Sequence, residues 1–201
     1  MRREQSSAER GRRWGSRRRR RRARVNTAEA DPAARLVGIP APPVTLLATS
    51  GELVDVVTVR TGWTIVFVYP RTGVPGVQPP EGWAHIPGAL GCTPQSCAYR
   101  DANQELLAAG ATVFGLSTQD HREQREFAIR ERLPFQLLSD PALEFGTPLR
   151  LPTFSVEGNQ FYRRLTLVVR SGTIEHVRFP IPDPEQDARE ILRWVRSRPG
   201  P

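Results

Sequence analysis

Two cysteines, Cys92 and Cys97, stand five residues apart in a chain that holds no others. They lie in the stretch Gly91-Cys92-Thr93-Pro94-Gln95-Ser96-Cys97-Ala98-Tyr99-Arg100-Asp101, where a strand-like run has ended and a helix-like pattern begins. Outside a disulfide-rich secreted scaffold, a close pair of this kind points to redox chemistry or to metal binding. A metal would need two further ligands, and His85, His121 and His176 show no ligand spacing, so no metal site is expected. Redox chemistry would make Cys92 the nucleophile and Cys97 its partner. Two thiols packed as small apolar side chains is the alternative that spacing alone leaves open.

The neighbouring elements decide how such thiols would be presented. The run 63–69 is almost wholly apolar and rich in β-branched and aromatic residues, as in a central strand buried on both faces, and it stops at Pro70. Residues 71–91, rich in Gly and Pro, form a long loop of the kind usually kept for function. A helix follows from Thr93 to Ala109, closed by Gly110. Cys92 thus sits at a helix N-terminus, where unpaired N–H groups and the macrodipole favour a thiolate, the form that attacks electrophiles. On an intact helix, Cα atoms five residues apart are about 8–9 Å from one another. A disulfide tolerates at most ~7 Å. A Cys92–Cys97 bridge therefore requires the first turn to unwind.

Further along, 112–117 reads as a second buried strand. Asp120 and Glu123 have capping-box spacing for a helix reaching about Arg132. A short strand is expected over 133–138, and a short helix starting at Asp140-Pro141. Two hairpins are expected: 44–47 with 53–57 about Ser50-Gly51, and 165–169 with 174–179 about Ser171-Gly172. An amphipathic helix from Asp183 to Ser197 points Ala188, Ile191, Leu192 and Val195 inward. The order β-β-β-α-β-α-β-α-β-β-α predicts an α/β domain with a central mixed sheet and helices on both faces.

The net charge of +8 belongs to one segment. Residues 1–25 carry twelve Arg and two Glu, so the rest of the chain is near neutral. All 29 basic residues are Arg. Residues 1–36, poor in large apolar side chains, are expected to be a disordered Arg-rich tail ahead of a single domain over 37–198. The tail has no aromatic stacking pattern, so nucleic acid is not an expected partner. No run approaches the ~20 apolar residues of a membrane span, and no apolar segment follows the Arg run as in an export signal. The expected compartment is the cytoplasm.

Several motifs in order resemble the peroxiredoxins, and their Q-type, or bacterioferritin-comigratory-protein-like, branch in particular. They are Phe67-Val68-Tyr69-Pro70; Gly91-Cys92-Thr93 through Cys97-Ala98-Tyr99-Arg100-Asp101; Val113-Phe114-Gly115-Leu116-Ser117; Leu133-Pro134-Phe135-Gln136-Leu137-Leu138-Ser139-Asp140; and Arg164-Leu165-Thr166. The resemblance covers about residues 43–196 and implies a thioredoxin-like fold and a thiol peroxidase that needs no cofactor. Cys92 would attack a hydroperoxide and become a sulfenic acid. Cys97 would condense with it to a disulfide. Thioredoxin or a similar thiol reductant would reset the pair. Arg164 would match the family's active-site arginine, and a monomer or weak dimer is expected. The chain departs from the family pattern before the nucleophile. The usual Pro-x-x-x-Thr-x-x-Cys is missing: Ala89 stands three before Cys92, and the Pro appears as Pro70, ahead of the inserted loop. Thr72 is the candidate for the missing hydroxyl, and Gln95 replaces an acidic residue three after the cysteine. A thiol–disulfide exchange protein of the same fold, with weak peroxidase activity, is therefore the alternative.

Overall fold

The computed structural model describes residues 31–55 and 62–198. A seven-stranded mixed sheet runs in the order β2-β1-β5-β4-β3-β8-β9. The strands are β1 (Thr45–Ala48), β2 (Leu53–Asp55), β3 (Trp63–Val68), β4 (Ala111–Ser117), β5 (Gln136–Ser139), β8 (Leu165–Arg170) and β9 (Thr173–Arg178). β3, β4 and β5 pair in parallel through their connecting helices. β8 joins β3 antiparallel, opposite the β4 side. The mixed sheet expected from the element order is thus present, and β3, buried at all six positions, is an interior strand between β4 and β8.

Residues alternate across β3. Trp63, Ile65, Phe67 and Tyr69 face one core, while Val66 and Val68 face the other. The first core lies under three long helices: α2 (Cys92–Ala108), α3 (His121–Arg130) and α4 (Asp187–Arg196). There the Phe67 and Tyr99 rings stack 4.5 Å apart, which ties α2 to β3. Gly115 is demanded by this packing, because a Cβ there would lie 2.5 Å from Leu137 and 2.8 Å from Phe67. The second core lies under the short helix α1 (Pro32–Leu36) and the turns that hold Phe145, Leu149 and Leu151.

The structure corrects the sequence reading at three places. The expected tail boundary at residue 36 falls too late. Asp31 caps α1, Leu36 is buried in the core, and Arg35 donates to the Leu149 and Arg150 carbonyls. The first 30 residues of that tail lie outside the described residues. The expected helix at Asp140-Pro141 is absent. Residues 141–150 make turns instead, because the buried Asp140 carboxylate accepts from the Glu144 and Phe145 amides and the Tyr162 hydroxyl. Finally, β6 (Thr153–Val156) and β7 (Asn159–Tyr162) form a separate hairpin that the sequence reading left unassigned.

The inserted loop is packed, not free. Trp83, Ile86 and Ala89 form a third apolar cluster with Phe154, Val156 and Phe161 of the β6–β7 hairpin. The Trp83 ring meets Phe161 edge-on at 4.9 Å. An apolar anchor at mid-loop fixes the carbonyls that follow it, and those carbonyls help build the site.

Candidate active site

Cys92 is the first residue of α2 and is 4% exposed. Gly91 before it takes a left-handed backbone, φ 95°, and a Cβ there would stand 2.7 Å from Pro184 Cγ. Only glycine combines that φ with that close approach. Gly91 offers no side chain to cap the helix, so the first-turn N–H groups meet no capping oxygen from it. The Cys92 thiol donates to the Ala89 carbonyl at 3.7 Å.

Arg164, 3% exposed, comes from the start of the β8 segment and reaches this sulfur. Its Nη2 donates to Cys92 Sγ at 3.2 Å, to Leu90 O at 2.8 Å and to Gly88 O at 3.2 Å, while Nη1 donates to Gln95 Oε1. Its Nε–H is buried and makes no hydrogen bond. The two residues singled out from different ends of the sequence, Cys92 and Arg164, are thus in contact, and the inserted loop supplies two of the carbonyls that aim the guanidinium. Tyr69 lies on the same side. Its phenol is held well above its usual 10.0 by burial first and by the nearby Cys92 second, and it donates to Gln124 at 2.9 Å. A cleft of about 400 Å³ borders Arg164, lined by Ile86, Leu90, Arg163, Phe179, Ile181 and Pro184 among others.

Cys97 sits one and a half turns further on the same helix, half-buried, and both thiols are free. It donates to Glu131 Oε2 at 3.8 Å. Burial pushes its thiol up, Glu131 adds to this, and Arg100 opposes it. Both cysteines lie inside one intact helix, whose geometry puts Cα atoms five residues apart at ~8–9 Å.

Thr72 is not brought to Cys92. It is 2% exposed, and its amide and hydroxyl both donate to Gln119 Oε1, at 2.7 and 3.0 Å, while its carbonyl accepts from Gln119 Nε2. The hydroxyl proton that would have served the site is committed to α3's approach loop. Pro70 ends the β3 segment, and its carbonyl accepts from Ser117 Oγ. It too makes no bond to the cysteine.

A buried polar layer behind Arg164 was not visible in the sequence. Gln95, fully buried, donates through Nε2 to Asp187 Oδ2 at 2.8 Å. Asp187, also fully buried, accepts from Tyr99 at 2.9 Å, Thr166 at 2.7 Å and Arg178 at 2.7 Å. Burial and then Asp187 keep the Tyr99 phenol well above 10.0. Nothing in a lone Asp at a helix start signals that three other elements converge on it.

No group of three or more His, Cys, Asp or Glu among the described residues could hold a metal ion. No helix among them is long and apolar enough to cross a membrane.

The redoxin family model matches residues 36–192. Among curated proteins, the chain is 29% identical over 164 residues to chloroplastic peroxiredoxin Q of Oryza sativa subsp. japonica, covering 80% of this chain and 66% of that one. It is 29% identical over 160 residues to chloroplastic peroxiredoxin Q of Gentiana triflora, covering 78% and 64%. The match thus spans just under two thirds of these relatives' length. Among solved structures, the peroxidoxin BcpB of Mycobacterium tuberculosis superposes with a TM-score of 0.67 at 22% identity, covering 81% of this chain and 97% of that one. Peroxiredoxin Q of Xanthomonas campestris superposes with a TM-score of 0.64 at 16% identity, covering 83% and 98%. At these identities the structural likeness concerns the fold, which is thioredoxin-like.

Proposed function

The chain belongs to the redoxin family, and from that premise we propose that it is a thiol-dependent peroxidase of the atypical two-cysteine type. The observation that carries the reading is the 3.2 Å contact between Arg164 Nη2 and Cys92 Sγ at the uncapped start of α2.

The Cys92 thiolate attacks the terminal oxygen of a hydroperoxide. The O–O bond breaks, and the leaving oxygen departs as water or an alcohol once it takes a proton. Sulfur is oxidised to sulfenic acid by two electrons, and the peroxide is reduced by the same two. Arg164 is permanently charged and planar, so it steadies both the thiolate and the oxygens as negative charge moves onto the leaving group. Cys97 then attacks the sulfenic sulfur, hydroxide leaves as water, and a disulfide forms. Because the helix holds the thiols too far apart, this step follows unwinding of the first turn of α2. A dithiol reductant of the thioredoxin kind returns the two electrons by exchange. The chain works in the cytoplasm as a monomer or weak dimer, with no need of the Arg-rich tail for the chemistry.

Stopped-flow mixing of the reduced protein with hydrogen peroxide, and separately with an organic hydroperoxide, tests the reading. Oxidation of Cys92 far faster than that of a free thiol is expected, followed by a Cys92–Cys97 bridge in the mass spectrum. Oxidation at the rate of a free thiol would sink it.

One observation favours a second reading. With Thr72 bonded to Gln119, no threonine hydroxyl serves Cys92 from that loop. A thiol–disulfide exchange protein with weak peroxidase activity needs no such hydroxyl. Rapid exchange with a disulfide substrate combined with slow peroxide oxidation would select it.

A further inference from the structure

Behind the Cys92–Arg164 contact lies a layer of fully buried polar groups to which the reaction scheme gives no part. Arg164 Nη1 donates to Gln95 Oε1, and Gln95 Nε2 donates to Asp187 Oδ2 at 2.8 Å. Asp187 is held in turn from three elements besides its own α4: by Tyr99 of α2, Thr166 of β8 and Arg178 of β9. Arg178 also pairs with Glu190 at 2.6 Å. Each of these groups can play only one role towards Asp187, since an ionised carboxylate accepts and never donates.

That restriction reaches Arg164 through the amide. Gln95 has one accepting and one donating end. Asp187 claims the NH₂ end, so the oxygen is the end left for the guanidinium. A flipped amide would set two donors against each other and leave the carboxylate short of a partner, at the cost of an unsatisfied buried group. The neutral Gln95 also keeps carboxylates off Arg164. Among the described residues no acidic side chain bonds to it directly, the Asp187 charge is met by Arg178, and the thiol it contacts is Cys92.

We propose that Asp187, acting through the Gln95 amide, is a positioning residue for Arg164. It dictates which end of the amide faces the guanidinium and thereby holds Nη2 against the Cys92 sulfur. The proposal rests on the peroxidase reading only for the use made of that contact.

The test uses the full chain carrying Cys97→Ser, so that Cys92 alone reports, and follows the pH profile of its alkylation by iodoacetamide. Asp187→Asn, which preserves shape but frees the amide to flip, is expected to move the rising limb to higher pH and to slow alkylation near neutrality about tenfold. Arg164→Gln does the same or more. Added to Arg164→Gln, the Asp187→Asn change has no further effect, because it acts through that residue. Gln95→Met, which cuts the relay at its middle while keeping its volume, reproduces the shift and is read where Asp187→Asn does not melt cooperatively. An unchanged profile in a cooperatively melting variant overturns the proposal. So does a shift of equal size with and without Arg164. Peroxide takes no part in this experiment. A chain that shows the shift yet reduces hydroperoxide no faster than a free thiol loses the function and keeps the relay.

Discussion

Cys92 and Cys97 stand on one helix and meet opposite company. Cys92 is buried at the uncapped start of α2, against an arginine. Cys97, one and a half turns on, is half-exposed and donates to the carboxylate of Glu131. At Cys92 an arginine donor lies against the sulfur, while at Cys97 burial first, and the Glu131 carboxylate with it, push the thiol up. The same side chain is therefore set up as an attacking group at one position and as a protonated reserve at the other. The lesson is that five residues of helix suffice to divide two chemically identical thiols into two roles. The division comes from what the neighbouring strands and loops bring to each.

The largest effect expected from breaking this contrast is at the nucleophile. Cys92→Ser abolishes peroxide turnover, whereas Cys97→Ser leaves the first oxidation intact and lets Cys92 proceed to sulfinic acid, as peroxide titration with mass spectrometry will read. Next, Arg164→Gln removes the cation from Cys92 and slows its oxidation by about 10²-fold in stopped-flow mixing, the loss usual for one well-placed donor. A smaller effect is expected on the other thiol. Glu131→Gln relieves the carboxylate that helps push Cys97 up. Alkylation of Cys97 in a Cys92→Ser background should then speed up a few-fold near neutrality.

The smallest concerns stability. His176 stacks on Trp194 at 4.7 Å, and its imidazole is held below the ordinary 6.5, by burial first and then by Arg198 and Arg178. A folded value below the unfolded one means the unfolded chain takes up the proton more readily. Stability is then complete above about pH 6.5 and falls as pH drops through the folded value. His176→Phe keeps a ring on Trp194 and should flatten that acid-side loss of Tm. A melting midpoint equally pH-dependent in the variant would remove His176 from the account.

Much of the frame was legible in local pattern. The unbroken apolar run through Ile65 and Phe67 marks a strand buried on both faces, because only such a strand can spare polar residues. Asp120 and Glu123 announced the start of α3, and the Asp120 side chain does accept from the Glu123 amide at 2.9 Å. The β6–β7 hairpin escaped notice, although its turn carries a signal. Glu157 and Gly158 both take positive φ, the backbone of a tight hairpin turn, and a two-residue loop ending in Gly is its mark. The expected helix after Asp140 was wrong for a different reason. A carboxylate before a proline suits a helix cap, but here it caps turns while also accepting from Tyr162, a partner 22 residues away.

Local pattern is enough for the two thiols, their helix and the strand behind them, because hydrophobic period, glycine and spacing act over a few residues. It also marked Arg164 by its place before Thr166. It takes the packed chain to show that Arg164 meets Cys92, that Thr72 is spent on Gln119, that Trp83 pins the inserted loop, and that Asp187 stands behind the site. Those pairings join residues 47 to 92 positions apart, or rest on a ring buried against another hairpin. They exist because packing seven strands and three helices leaves a few polar groups in the dark that only one another can satisfy, and no local pattern records which.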